Sequence, residues 1–268
     1  MLEGFAANYG PWAVVAGASE GIGACFAHRI AAAGVRPVLV ARNEAKLKEL
    51  AVSLPIESLV VPADLTAPDI VDTLRRALDG VDVGLLVYNA GAMHGADLFT
   101  RRPVKDALQL VDLNCRTVVE LTHLFGGAMA ERGRGGIVLM TSMAAASGSA
   151  YTAVYAATKA FDLVLAEGLW MELGQSGVDV IAVPAGLTDT PAMRRSGIIG
   201  EDGAAMDPDE VAAAALDALG TSGPMVVPAA LRPTASFLWP GDRIQVIQAM
   251  TDGAIGLYGK PTMKAPRS

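Results

Sequence analysis

Short, nearly continuous runs of Val, Leu, Ile and Ala alternate along this chain with longer segments in which apolar residues recur every three or four positions. The short runs occupy residues 12–17 (WAVVAG), 37–41 (PVLVA), 58–62 (SLVVP), 83–88 (VGLLVY), 136–141 (GIVLMT) and 178–183 (VDVIAV), with a weaker seventh at 224–227. The longer, helix-period segments lie at 21–33, 44–54, 68–78, 104–130 and 153–173. A strand that is apolar throughout, rather than at alternate positions, is one covered on both faces, as in parallel sheets. Strand and helix alternating at this spacing form right-handed crossover units. The pattern therefore predicts an α/β fold: a doubly wound, mostly parallel, seven-stranded sheet with helices on both faces.

The remainder of the chain is less regular. Asp207-Pro208-Asp209-Glu210 has the form of a helix start, with Asp207 as N-cap, Pro208 in the first turn and Glu210 placed for a capping box. Residues 231–258 carry Ile244, Ile247, Met250 and Ile255 at near-helical spacing, broken at Pro240-Gly241, and read as a packing or substrate-facing region. No repeat, charge block or low-complexity linker divides the 268 residues, so residues 1–268 are expected to form a single domain.

Composition narrows the function classes. With 21 Lys+Arg against 28 Asp+Glu, the net charge of −7 disfavours a nucleic-acid-binding role and gives no polybasic reason to sit on an anionic membrane. The two cysteines, Cys25 and Cys115, form no CxxC pair, and the three histidines have no metal-ligand spacing, so no metal is expected. Free thiols, a start without signal-peptide character and no apolar run of membrane-spanning length lead to the expectation of a cytoplasmic protein without stable membrane insertion.

The first strand runs into Gly17-Ala18-Ser19-Glu20-Gly21-Ile22-Gly23 and then a helix. Glycines here permit a sharp turn, close backbone approach to a pyrophosphate and tight helix–strand packing, and the helix N-terminus is a ready anion site. The spacing is G-x-x-x-G-x-G, not G-x-G-x-x-G, and no G-x-x-x-x-G-K-[ST] phosphate loop is present. Gly17 to Gly21 also matches G-x-S-x-G, the elbow of serine hydrolases, but no histidine follows His123 to complete a triad. At the end of the second strand, Ala41-Arg42-Asn43 stands where an acidic residue would select NAD. Arg42 suits a 2′-phosphate, so NADP(H) is favoured over NAD(H), with Glu20 as a countervailing charge.

Tyr155 and Lys159 are four residues apart in a helical segment and so project from one face. A nearby ammonium favours the ionised form of a phenol, which otherwise titrates near 10. Ser142 lies thirteen residues earlier, after the fifth strand, at the carboxyl edge where such sheets bind ligands. Its hydroxyl can hold a carbonyl oxygen while Tyr155 delivers a proton.

With these residues in view, the chain resembles the short-chain dehydrogenase/reductase (SDR) family of Rossmann-type enzymes over nearly its whole length. Gly17-x-x-x-Gly21-Ile22-Gly23 is similar to the family's cofactor loop, Asp64-Leu65 to its adenine-contact position, and Asn89-Ala90-Gly91 to its N-A-G segment. Asn114, Ser142, Tyr155 and Lys159 match its catalytic tetrad, and Ala41-Arg42 its NADP-preferring branch. The family's P-G-x-V-x-T segment is altered: Gly186, Thr188 and Thr190 align with it, but the proline is displaced to Pro184 and Thr188 replaces a branched apolar residue. The resemblance implies hydride transfer between a nicotinamide and a carbonyl carbon. Tyr155 would be acid or base, Lys159 would bind the nicotinamide ribose, Ser142 would orient the oxygen, and Asn114 would hold a water linking Lys159 to solvent. It also implies a homodimer or homotetramer built by pairing the helices at 104–130 and 153–173.

Residues 187–206, rich in glycine at Gly197, Gly200 and Gly203, are expected to form a lid over substrate. Met93, Met143 and Met193 flank the expected site and could form an adaptable apolar pocket. Together these features suggest a hydrophobic ketone or alcohol. Tyr151 and His94 are secondary candidates, and His28 and His123 read as structural. The rival readings are a catalytically silent dinucleotide-binding sensor or scaffold, an epimerase or dehydratase, and a membrane-associated lipid carrier. Binding alone needs no Tyr155, and the glycine spacing and short C-terminal region oppose the epimerase.

Overall fold

The structure is a computed structural model that describes residues 4–93, 95–199, 205–221 and 223–258, with only the backbone given for 251 and 253–258. Six parallel strands form the sheet: β1 (Trp12–Ala16), β2 (Arg36–Ala41), β3 (Leu59–Pro62), β4 (Val83–Tyr88), β5 (Gly135–Ser142) and β6 (Val178–Ala185). Their spatial order is β3-β2-β1-β4-β5-β6. The order reverses between β1 and β4, which opens a crevice beyond their carboxyl ends.

All strands except the half-buried edge strand β3 bury both faces. Val15, Leu39, Leu85, Val138 and Ile181 pack into one apolar layer, with Phe26, Ile30, Val211 and Leu216. Their neighbours Val14, Val38, Leu86, Ile137 and Val180 pack into the other, with Leu74, Leu121, Phe125 and Leu163. This is the physical reason for the uninterrupted apolar runs. The helices are α1 (Phe5–Tyr9), α2 (Gly21–Ala32), α3 (Glu44–Ser53), α4 (Ile70–Ala77), α5 (Val104–Val111), α6 (Thr117–Arg132), α7 (Ala153–Gly174), α8 (Pro191–Arg195), α9 (Pro208–Ala218), α10 (Arg232–Leu238) and α11 (Arg243–Tyr258). Asp207 caps α9 as its sequence suggests, accepting a bond from the Asp209 N–H at 2.8 Å.

Three expectations are corrected. The seventh strand at 224–227 reduces to an isolated parallel bridge of Met225 with Ala182 on β6. Proline at 224 and 228 removes amide donors at both ends, leaving too few residues for a ladder. The single helix at 104–130 is divided, because residues Asp112–Arg116 form a π-helical turn between α5 and α6. The apolar positions of the C-terminal region are not uniformly core: Ile247 is buried, whereas Ile244 and Met250 are exposed, the latter at 73%. α10 and α11 are separated at Pro240-Gly241, as the sequence suggests, and the side chain of Ile255 lies outside the described residues.

Candidate active site

The glycine turn links β1 to α2 at the point where the strand order reverses. Gly17 has φ +85°, and a Cβ there would come within 2.8 Å of the Ala90 backbone. Gly23 lies so close to the turn that a Cβ would meet the Gly17 carbonyl oxygen at 2.1 Å and the Asn89 amide nitrogen at 2.7 Å. Asn89 closes this arrangement, donating from its side chain to the Gly17 carbonyl at 3.0 Å. The N–H groups of Asn89 and Ala90 both bond the Ala16 carbonyl, at 3.0 and 2.8 Å. Thus the N-A-G segment after β4 holds the turn after β1 in shape, and α2 presents an N-terminus with no side-chain cap.

Beside this turn lies a cavity of about 650 Å³ lined by Gly17, Ser19, Glu20, Gly21, Ile22, Arg42, Asp64, Leu65, Asn89, Ala90, Gly91 and Thr190, all named as cofactor candidates from sequence. Gly23 does not line it and acts through packing. Two further cations, Lys46 from α3 and Arg195 from α8, line the same cavity. Both pair with Glu20, Arg195 donating from Nη1 at 3.0 Å and Lys46 from its ammonium. The bond from Arg195 and the charge of Lys46 hold the Glu20 carboxyl down at about 2, despite the opposing effect of burial. Asp64 is held below its usual range by the Thr66 N–H at 2.9 Å, with help from Arg42. The cavity wall therefore carries three cations against two carboxylates, a donor set that fits a phosphorylated dinucleotide.

The second cavity, of about 370 Å³, is lined by Ser142, Tyr155 and Lys159 together with Gly186, Thr188 and Thr190. Ile22, Asn89, Gly91, Ala92, Thr190 and Met193 line both cavities, so one crevice runs from Arg42 to Tyr155. Met93, Met143 and Met193 do contribute to its apolar wall, with Met140, Leu187 and Ile198. Ser142 ends β5, and its hydroxyl accepts a bond from the Ala144 N–H at 3.2 Å. Tyr155 and Lys159 occupy successive turns of α7. The Lys159 backbone is tied to the sheet by the Thr141 hydroxyl, which donates to its carbonyl at 2.6 Å.

Asn114 sits in the π turn, fully buried, and lines neither cavity. The extra residue of such a turn re-aims side chains, and here it brings Asn114 inward. Its amide nitrogen donates to Thr158 Oγ1 at 3.0 Å and to the Ala92 carbonyl at 3.4 Å, while its Oδ1 accepts from the Ala92 N–H at 3.3 Å. Thr158 in turn donates to the Tyr155 carbonyl at 2.9 Å. Asn114 thus clamps the N-A-G segment to the first turns of α7. Lys159 is buried, with its ammonium donating to the Met140 carbonyl and to Asp162 Oδ2, both at 2.9 Å.

A family model for the short chain dehydrogenases matches residues 11–197. The chain belongs to the short-chain dehydrogenase family. It is 32% identical over 222 residues to a 7β-hydroxysteroid dehydrogenase of Mediterraneibacter gnavus, covering 80% of this chain and 84% of that one. Its fold superposes on a solved 7β-hydroxysteroid dehydrogenase with a TM-score of 0.80 and 28% identity, covering 92% of this chain and 98% of the other. A short-chain dehydrogenase from Sphingobium yanoikuyae, solved in complex with NADPH, gives a TM-score of 0.78 and 29% identity over 96% of this chain and 99% of that one.

Thr188 is buried and its hydroxyl bonds the Gly186 carbonyl at 3.0 Å, whereas Thr190 caps α8 and packs its methyl against Gly21. Tyr151 lines a neighbouring cavity of about 320 Å³ that also borders Tyr155, and it adopts φ +66°. His28 and His123 are exposed on helices, and His94, Gly200 and Gly203 lie outside the described residues. Among the described residues no His, Cys, Asp or Glu cluster able to hold a metal is present, and no helix is long and apolar enough to cross a membrane. Lys46, Thr158, Asp162 and Arg195 are site residues that the sequence motifs did not reveal. Lys46 had a faint signal, since it lies four residues after Arg42. Asp162 had a similar one, three residues after Lys159 on the same helical face, whereas Arg195 had none outside the folded structure.

Proposed function

We propose that this chain is an NADP(H)-dependent oxidoreductase that interconverts a hydrophobic ketone and its alcohol. Membership of the family already makes it an NAD(P)-using enzyme acting on CH–OH groups of small molecules. The preference for NADP(H) is supported by Arg42, Lys46 and Arg195 at one end of the crevice. The observation that carries the reading is the continuity of that crevice with the cavity holding Ser142, Tyr155 and Lys159. The hydrophobic substrate is supported by the methionine-rich wall and by the hydroxysteroid activity of the relatives.

When bound, a nicotinamide dinucleotide would supply or accept the hydride. The residues of this chain do the rest. Ser142 holds the substrate oxygen, and Tyr155 donates its proton to that oxygen as the carbonyl is reduced, or removes it in the reverse direction. The Lys159 ammonium has three N–H groups, two of which are taken by Met140 and Asp162. The remaining one is assigned to the nicotinamide ribose, and its positive charge stabilises the phenolate left after proton transfer. Asn114, through Thr158 and Ala92, keeps the turn bearing Tyr155 in register with the cofactor segment.

Residues 187–206 are assigned as the lid. Leu187 and Asp189 bond Met206 through backbone groups, each at 2.8 Å, which supports a segment anchored at its base. Leu231 packs against Gly186, consistent with a substrate-facing role for the start of the region 231–258. The two apolar layers share one sheet, which supports a single domain. Exposed Val104, Leu108, Val119, Phe161 and Val164 on α5, α6 and α7 support a homodimer or homotetramer through those helices. The two free cysteines fit a cytoplasmic location.

The test is oxidation of NADPH and NADH over a panel of steroid, long-chain acyl and small polar carbonyls. NADPH-dependent reduction of the bulky apolar members is expected. Preference for the polar ones would overturn the substrate assignment, and dinucleotide binding without turnover of any would support the silent sensor instead.

A further inference from the structure

Asp162 lies one turn beyond Lys159 on α7, its side chain only 2% exposed, and beyond accepting one Lys159 N–H it has no assigned role in the mechanism above. We propose that Asp162 is a positioning residue, the buried counterion that holds the Lys159 ammonium in alignment at the wall of the catalytic cavity. This rests on the proposed role of Lys159.

The lysine side chain is only 7% exposed, so its charge has little solvent to stabilise it. Asp162 Oδ2 and the Met140 carbonyl, each 2.9 Å from Nζ, replace that solvent and fix the direction of the ammonium. Folding stability does not account for the carboxylate. Its Oδ1 is buried without a hydrogen-bond partner among the described residues, and isolated buried ion pairs are often no better than an apolar pair of the same volume. Among the described residues, the other groups close to it add no second counterion. Tyr88 of β4 and Cys115 of the π turn both sense its negative charge, and Arg116, whose charge also reaches Tyr88, is engaged with Asp112 and Glu120. Lys159 is the cation whose charge and hydrogen bond act on Asp162.

Burial pushes the Asp162 carboxyl up to about 6, against the pull of Lys159. Below that pH the group is neutral and resembles asparagine; above it, the carboxylate is present. The ion pair therefore exists above that pH and is absent below it.

The experiment compares wild type with Asp162→Asn and Asp162→Glu between pH 5.5 and 9.5. It reads kcat/KM for NADPH-dependent ketone reduction and, separately, NADPH affinity by fluorescence, which needs no ketone. The wild-type to Asp162→Asn ratio is expected near one at the acid end and at least about tenfold by pH 9, a difference of about 1.4 kcal/mol. Asp162→Glu should restore most of the alkaline activity. A ratio that does not change with pH means a merely structural role and overturns the proposal. If Asp162→Asn does not fold, Asp162→Ser is read the same way, and failure of both to fold overturns the proposal by making the carboxylate a folding requirement. If wild type reduces no carbonyl, the proposed function fails, while the NADPH affinity profile still decides the role of Asp162.

Discussion

Arg195, at the end of the short helix α8, bonds Glu20 in the glycine turn, although the two are 175 positions apart in the chain. The first residue belongs to the segment assigned as lid and the second to the loop beside the phosphate end of the crevice. On that assignment, closure over substrate would be mechanically joined to the cofactor loop through this contact.

Arg195→Ala should raise the KM for NADPH about 3- to 10-fold and leave kcat less affected, measured by steady-state kinetics at saturating ketone. Glu20→Gln tests the same contact through stability. The folded Glu20 carboxyl is depressed to about 2 from an ordinary 4.5, so its stabilisation is full above the unfolded value and is lost as pH falls toward 2. The variant should melt about 2–5 °C below wild type at pH 7, and the difference should vanish near pH 2. A constant difference across that window would remove the ion pair from the account.

Arg42 is exposed at the rim of the cofactor cavity. Replacing Arg42 with Ala should lower kcat/KM for NADPH about 10- to 100-fold, as expected for losing a charge-assisted bond to phosphate, with little change for NADH. An equal loss with both dinucleotides would show that Arg42 does not read the 2′-phosphate.

Tyr155→Phe retains the ring and removes only the proton that the mechanism moves. Carbonyl reduction should fall by at least about 100-fold, the lower range for general acid catalysis, with NADPH affinity unchanged by fluorescence titration. Near-wild-type turnover would return the site to a binding function.

Gly23→Ala places a methyl within 2.1 Å of the Gly17 carbonyl. Overpacking of this kind should cost about 1–3 kcal/mol in denaturant unfolding and also abolish dinucleotide binding, because the displaced atom belongs to the turn itself. Unchanged binding with reduced stability would separate the packing from the loop's function.

Most of the sheet was legible in the chain because its cause is local. A strand covered on both faces must be apolar at every position, and that condition marks β1 to β6 to within a few residues. The spacing of Tyr155 and Lys159 was equally readable, since four residues make one helical turn. The segment 224–227 has the same apolar character, yet forms only a bridge, because the prolines beside it deny it a ladder. The short α1 helix carried no readable period over its five residues, although Phe5 and Tyr9 are buried.

The residues therefore determined by themselves the alternating architecture, the glycine turn and the pairing of a phenol with an amine on one helix face. Only the tertiary structure decided that a π turn would carry Asn114 into the interior, that the pair of Lys159 and Asp162 would be buried, and that Arg195 would reach Glu20. The first set follows from backbone periods that repeat within a few residues. The second depends on which surfaces meet when distant elements pack, and burial, which makes a carboxylate or an amide consequential, exists only after they have met.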